Sequence, residues 1–205
     1  YGFEQFVDRN HIVGVAGSGE AGFDGHRAEG DADGGGQFVH RRVAVEFNPA
    51  ETEPIVIPAE VLGKVIGGLL RNAVENTPDG GEVRVTVRAG KDGPELEIRD
   101  TGIGITAENQ QLILGHFFTA YEPLQYSTRS PYDFKAGGKG FDLLRMQIFA
   151  ERYGFKIRMN STRCRFIPTE KEECPGDAGE CVRLRNADEC RDTGGTTVTV
   201  QFPPA

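Results

Sequence analysis

Val43, Val45 and Phe47 alternate with Ala44 and Glu46, the period of a half-buried strand, so regular structure is predicted from about residue 41. Ile55-Val56-Ile57 reads as a second short strand, and Pro58 as the first residue of a helix. Val61, Leu62, Val65, Ile66, Leu69, Leu70 and Ala73 recur at helical spacing, and the helix is predicted to run through Asn76. Pro78-Asp79-Gly80-Gly81 ends it in a turn. Val83, Val85 and Val87 alternate with charged or Thr neighbours, and Leu96 and Ile98 do so after a turn at Asp92-Gly93-Pro94, which together signal a hairpin. A short helix is expected to start after Thr106 and run to about Leu114, and a longer one from Lys139 to Tyr153, closed by Gly154 in a left-handed turn. Phe155 to Met159 and Thr196 to Phe202 read as two further strands, while residues 116–137 have no period. The set predicts an α+β fold, a two-layer α/β sandwich of a mixed sheet with helices on one face.

Length and charge narrow the picture. The 205 residues can bury a sizeable core, most simply in one domain. A net charge of -8 leaves no basic excess for nucleic acid or anionic lipid. The apolar runs are too short to span a bilayer, and residues 1–20 lack the basic start and apolar core of a signal peptide. With Tyr1 at its start, the chain reads as the cytoplasmic piece of a longer protein, any membrane anchor lying elsewhere. Residues 14–36 are rich in Gly, Asp, Glu and Ala and gain little from burial. Residues 1–40 are therefore expected to be a Gly-rich arm or the remnant of a preceding region, and 41–205 the folded domain.

Three groups of residues suggest chemistry. Asn72 and Asn76 share one helix face, one turn apart. An amide oxygen is a hard ligand suited to Mg2+, although an Asn near a helix end is also an ordinary surface residue. Asp100 ends a strand and opens Asp100-Thr101-Gly102-Ile103-Gly104-Ile105. A carboxylate there can accept from an adenine amino group, and Gly102 and Gly104 remove the Cβ atoms that would keep the backbone from a flat ring. Gly137-Gly138-Lys139-Gly140 precedes a helix whose first amide groups can hold phosphate, with Lys139 adding positive charge. No Walker A sequence occurs, and the Gly-rich turn does not follow the first strand as a Rossmann fold requires.

In order and spacing these segments, with Phe117-Phe118-Thr119 between the last two, resemble the ATP-binding catalytic domain of bacterial sensor histidine kinases. The superfamily also includes type II topoisomerases, mismatch-repair ATPases and a heat-shock chaperone. The resemblance covers residues 41–202 and implies a Bergerat-type ATP-binding fold that uses ATP and Mg2+. It implies that Asn72 is the catalytic, Mg-binding residue, supported by Asn76. Asp100, Gly102, Gly104 and Ile105 form the adenine motif, Phe117 and Phe118 an aromatic box, and residues 119–137 the lid. Gly138, Lys139 and Gly140 become the phosphate turn. The implied activity is protein-histidine kinase, as part of a longer, homodimeric protein. Its implied partners are a helical-hairpin phosphoacceptor domain and a response regulator.

His11, His26, His40 and His116 lack the acidic neighbour and following Pro of a phosphoacceptor, so that His is expected on a separate domain. Three positions depart from the family: Gly68 where a polar residue precedes the metal-binding Asn, Glu75 where a basic residue is common, and Asp142 where a third Gly stands. A carboxylate about 4 Å from a phosphate oxygen costs up to ~4 kcal/mol at an effective dielectric of 20. The alternative is thus a degenerate, non-catalytic regulatory module of the same fold. A non-kinase ATPase is disfavoured, since Gly68 supplies no helix acid to activate water. Finally, about thirty residues, 161–193, separate the last two strands and hold all four cysteines: Cys164, Cys174, Cys181 and Cys190. Reduced structural thiols, disulfides and a metal or redox site all remain open, because no C-x-x-C pair occurs. The insertion is expected to be a polar excursion that contributes little to the core.

Overall fold

The computed structural model describes residues 41–114, 132–136, 141–169 and 171–205, with the side chains of 111–114 and 141–144 outside the description. Its elements are β1 (Ala44–Pro49), α1 (Ala59–Asn76), β2 (Glu82–Gly90), β3 (Gly93–Asp100), α2 (Ala107–Leu114), α3 (Phe141–Tyr153), β4 (Lys156–Thr162) and β5 (Gly195–Gln201). The strands form one sheet in the order β1-β2-β3-β5-β4. β1 runs parallel to β2, which requires the crossover that α1 provides. All other pairs are antiparallel.

Strand alternation determines which face is covered. Val83, Val85 and Val87 of β2 and Leu96 and Ile98 of β3 are buried, with register pairs Val85–Ile98 and Val87–Leu96. Val200 of β5 continues the row beside Leu96. Onto this face α1 presents Leu62, Val65, Ile66, Leu69 and Ala73, and α3 adds Met146. The intervening residues face out and pair charges: Arg84 reaches Glu46 and Glu82, and Arg88 reaches Glu95 and Glu97. Among the described residues, no helix is long and apolar enough to cross a membrane.

Several expectations shift. Ile55-Val56-Ile57 is not a strand. Ile55 and Ile57 are buried and Val56 is exposed, so the alternation is real, but this segment pairs with no strand of the sheet. Pro58 is the helix N-cap rather than its first residue, because its ψ of 132° is extended. β4 starts after Phe155 and runs on to Thr162, and β5 spans Gly195–Gln201, so the excursion between them occupies residues 163–194. Phe155 and Phe202 instead pack on each other just outside the strands, ring centroids 5.5 Å apart. Gly154 has φ +73° and donates its N–H to Ala150 O, the expected helix stop.

A buried cation holds the far end of α1. Arg41, 8 % exposed, donates to Asp79 Oδ1 (2.7 Å), Thr77 O (2.5 Å) and Tyr132 O (2.7 Å). Removing one partner of a buried, hydrogen-bonded ion pair strands the other. Arg41→Ala should therefore lower unfolding stability by ~3–5 kcal/mol in denaturant titration. A loss below about 1 kcal/mol, the worth of a surface pair, would show that the cation does not organise this corner.

Candidate nucleotide site

The adenine-type motif is built where β3 leaves the sheet. In register, Asp100 lies between Val83 and Thr196 on the row that Val83 buries, so its side chain turns inward and is only 6 % exposed. Oδ1 accepts from Gly102 N (2.9 Å) and Thr196 N (3.1 Å). Both bonds fall on one oxygen, which leaves Oδ2 the accepting capacity for a ligand. Burial pushes the Asp100 carboxyl up to about 6, while the Gly102 and Thr196 N–H groups pull it down.

The motif's next residues touch the end of α1. Ile103 N donates to Asn76 O (3.0 Å), and a Cβ on Gly102 would lie 2.3 Å from that same oxygen. Gly104 has φ +63°, and a Cβ there would lie 1.9 Å from Thr162 O. Both glycines are thus required by protein contacts: Gly102 by the helix end, Gly104 by the end of β4. The close approach expected of them is present, but toward backbone. Ile105 N donates to Ser161 Oγ (2.8 Å), and Gln110 bridges Ile105 O and Ser161 O from α2. Gln110, which lacks any motif, escaped the sequence reading.

Asn72 and Asn76 sit one turn apart on α1, both half-buried, but they differ in role. The Asn76 side-chain amide donates to Asn72 O (2.8 Å) and so is committed to the helix. Among the described residues, the Asn72 side chain makes no hydrogen bond. The structure thus brings Asn72, Asn76, Asp100, Gly102, Gly104 and Ile105 to one junction between the end of α1 and the end of β3. Phe117, Phe118, Gly138, Lys139 and Gly140 lie outside the described residues, as does most of the expected lid.

The described part of that lid, residues 132–136, returns against α1. Glu75, 3 % exposed, accepts from Tyr132 N (3.0 Å), and Lys135 N donates to Glu75 O (2.7 Å). The acid that departs from the family pattern here holds the chain on its way back from residues 115–131.

The excursion 163–194 docks on the same junction. Cys164 N donates to Ile103 O (2.9 Å) and Arg163 Nη1 to Gly104 O (3.0 Å). Asp79 N donates to Gly176 O and Ala178 N to Asp79 O, and Arg42 pairs with Asp177. Ile167, Ala178, Cys190 and Thr193 are buried there, outside the main core cluster. All four cysteines, none bridged, line one cavity of about 270 Å³, which Gly102 and Ile103 also border. Burial raises the Cys190 thiol to about 11, and the other three thiols add to the rise, Cys174 most. Burial also raises Cys174. Among the described residues, no three His, Cys, Asp or Glu side chains are already gathered to hold a metal ion.

The family model for histidine kinase-, DNA gyrase B-, and HSP90-like ATPases matches residues 59–205. Sensor histidine kinase Hik2 of Thermosynechococcus vestitus is 32% identical over 113 residues, covering 55% of this chain and 27% of that protein. The phosphate regulon sensor protein PhoR of Pseudomonas aeruginosa is 27% identical over 137 residues, covering 63% and 27%. This chain therefore spans about a quarter of the length of these relatives. Among solved structures, the catalytic domain of histidine kinase ThkA overlays with a TM-score of 0.49 at 16% identity, over 80% of each chain.

The raised Asp100 pKa fixes the sign of a stability test. Its folded value near 6 exceeds its ordinary 3.8, so the folded state binds the proton more tightly between those values. The destabilisation from the buried charge is present above about pH 6 and disappears as pH falls toward 3.8. Asp100→Asn keeps the acceptor oxygen without the charge. The variant should be more stable than wild type at pH 8, by at most about 3 kcal/mol, with the excess shrinking to nothing near pH 4. A pH-independent difference in denaturant midpoint would show that Asp100 is not held in a desolvated site.

Proposed function

The chain belongs to the histidine kinase-, DNA gyrase B-, and HSP90-like ATPase family, and we propose that it is the ATP-binding catalytic domain of a two-component sensor histidine kinase. In this reading the adenine amino group would donate to Asp100, Asn72 would hold a Mg2+ ion that neutralises phosphate charge, and residues 138–140 would carry the phosphate turn. The γ-phosphoryl passes to a His on a separate helical-hairpin domain and from there to a response regulator, in a homodimeric, cytoplasmic assembly that can be membrane-anchored. Phosphoryl transfer of this kind needs positioning and charge neutralisation more than covalent help from the protein. The observation that carries the reading is Asp100: an inward carboxylate at a strand end, with Oδ1 taken by two backbone N–H groups and Oδ2 left for a ligand donor.

The alternative, a degenerate module that binds nucleotide weakly or not at all, draws on Gly68, Glu75 and Asp142. Glu75 supports it less than the sequence implied, because this side chain has a structural task in anchoring Tyr132. Gly68 is buried within α1 and offers no polar group.

Calorimetric titration with a non-hydrolysable ATP analogue and Mg2+ separates the two. Binding is expected, with Asp100→Asn abolishing it and Asn72→Ala removing its Mg2+ dependence. Since an ionised Asp100 is the better acceptor, affinity should fall about tenfold per pH unit below about 6. No heat at millimolar analogue would leave the regulatory module as the function.

A further inference from the structure

We infer that Cys164, Cys174, Cys181 and Cys190 form a tetrathiolate site for a soft divalent metal ion, zinc by its chemistry, which clamps the 163–194 excursion against the Asp100–Gly104 turn.

The excursion needs such a cross-link. Among its described residues, the only regular elements between β4 and β5 are two short 3₁₀ turns, Ala178–Glu180 and Ala187–Asp192. Its buried apolar side chains are few, chiefly Ile167 and Ala178. A small module with so little core is ordinarily stapled by disulfides or a metal. The four thiols come from separate turns of the chain yet line one cavity. Cys164 follows β4, Cys174 and Cys181 flank the stretch that pairs with Asp79, and Cys190 lies in the second 3₁₀ turn. Phe166, Ile167, Pro175 and Leu184 supply apolar wall around the sulfur donors, and Glu173, Asp177, Glu180 and Arg183 stand along the partly open remainder.

Four thiolates are the complete donor set of a structural zinc site, and soft sulfur ligands select zinc over magnesium or calcium. The choice of metal over disulfide rests on the proposed ATP-binding function: a domain that uses cytoplasmic ATP works where thiols are kept reduced. No three of these side chains stand at coordinating positions already. The ion must therefore draw the sulfurs in from the cavity walls, each thiol releasing its proton to solvent as its bond to zinc forms. Folding of the excursion is then coupled to metal binding. The clamp also reaches the nucleotide site, because Cys164 itself holds Ile103 and the adjoining Arg163 holds Gly104. On its other side, Gly176 lies against the Phe134 ring in the segment anchored by Glu75.

The full 205-residue chain, produced with zinc in the medium and purified under reductant, should contain one zinc per chain by elemental mass spectrometry. Replacement by Co2+ should give the intense visible and near-ultraviolet bands of tetrahedral thiolate cobalt. All four thiols should resist alkylation until a chelator is added, and chelation should lower the thermal midpoint. Cys181→Ser should weaken Co2+ binding at least about tenfold, and Cys181→His should restore it with a shifted spectrum. If Cys181→Ser is insoluble, the wild-type cobalt titration still decides. Four freely alkylated thiols without bound metal, or disulfides in chain extracted under rapid thiol trapping, would overturn the inference. A chain that holds zinc but ignores ATP would sink the nucleotide reading alone; one that binds ATP with free or bridged thiols would sink only the metal site.

Discussion

The carbonyl groups at the C-terminal end of α1 are the constraint on which the rest of this protein depends. A helix leaves its last carbonyls without intrahelical partners, and burying them unpaired is costly. Here Thr77, at the helix's own end, takes Ala73 O and Val74 O, and distant parts of the chain take the others. Thr77 Oγ1 donates to Ala73 O, Lys135 N to Glu75 O, Ile103 N to Asn76 O, and Arg41 to Thr77 O. No glycine cap is used; the helix breaks at Thr77 into extended backbone. This end thereby acts as an assembly point. It ties together Arg41, three residues before β1, the turn after β3 and the segment of residues 132–136. The same helix carries Asn72, so fixing its end also fixes the expected metal ligand relative to Asp100.

Asp100 depends on this arrangement in turn. A carboxylate buried on a sheet face is unfavourable unless its charge is met, and two N–H groups meet it only in part, which is why burial still dominates its pKa. The turn cannot relax to solvate it. Gly102 is pressed on Asn76 O and Gly104 on Thr162 O, so the backbone on both sides is held by contacts that admit no side chain. A partly compensated acceptor in a rigid frame suits a ligand that brings its own donor, since the cost of burying the acid is met in full only in the complex.

Much of this could be read from the sequence. The hairpin, α1 and the Gly154 stop follow from short-range periodicity and turn chemistry, and the structure has them to within a residue or two. What failed to show depends on long-range partners. Ile55 and Ile57 alternate correctly but pair with no strand of the sheet, and strand periodicity reports burial rather than pairing. Arg41 marked only the start of regular structure, since a guanidinium that bonds carbonyls has no pattern of its own. Glu75 could be read only as a departure from a family, because its partner, the Tyr132 N–H, lies far along the chain. The excursion looked detachable because its charges are plentiful; its backbone bonds to Ile103 and Asp79, and the Arg163 and Arg191 side-chain bonds to Gly104 O and Gly80 O, are long-range contacts that composition cannot show.

The turn from Gly102 to Gly104 therefore has two sides. One faces the end of α1 and the proposed nucleotide site; the other borders the cysteine-lined cavity. In a β-sheet protein a loop between two such sites is usually compliant, and coupling fades along it. Here compliance is removed at both ends, by the Asn76 carbonyl against Gly102 and the Thr162 carbonyl against Gly104. A shift of the excursion cannot be absorbed within this turn and must move Ile103 against α1, or else break the Ile103 N–Asn76 O bond. Two-site communication needs an element that both sites contact, and this glycine-locked turn touches the end of α1 on one side and the cysteine-lined cavity on the other.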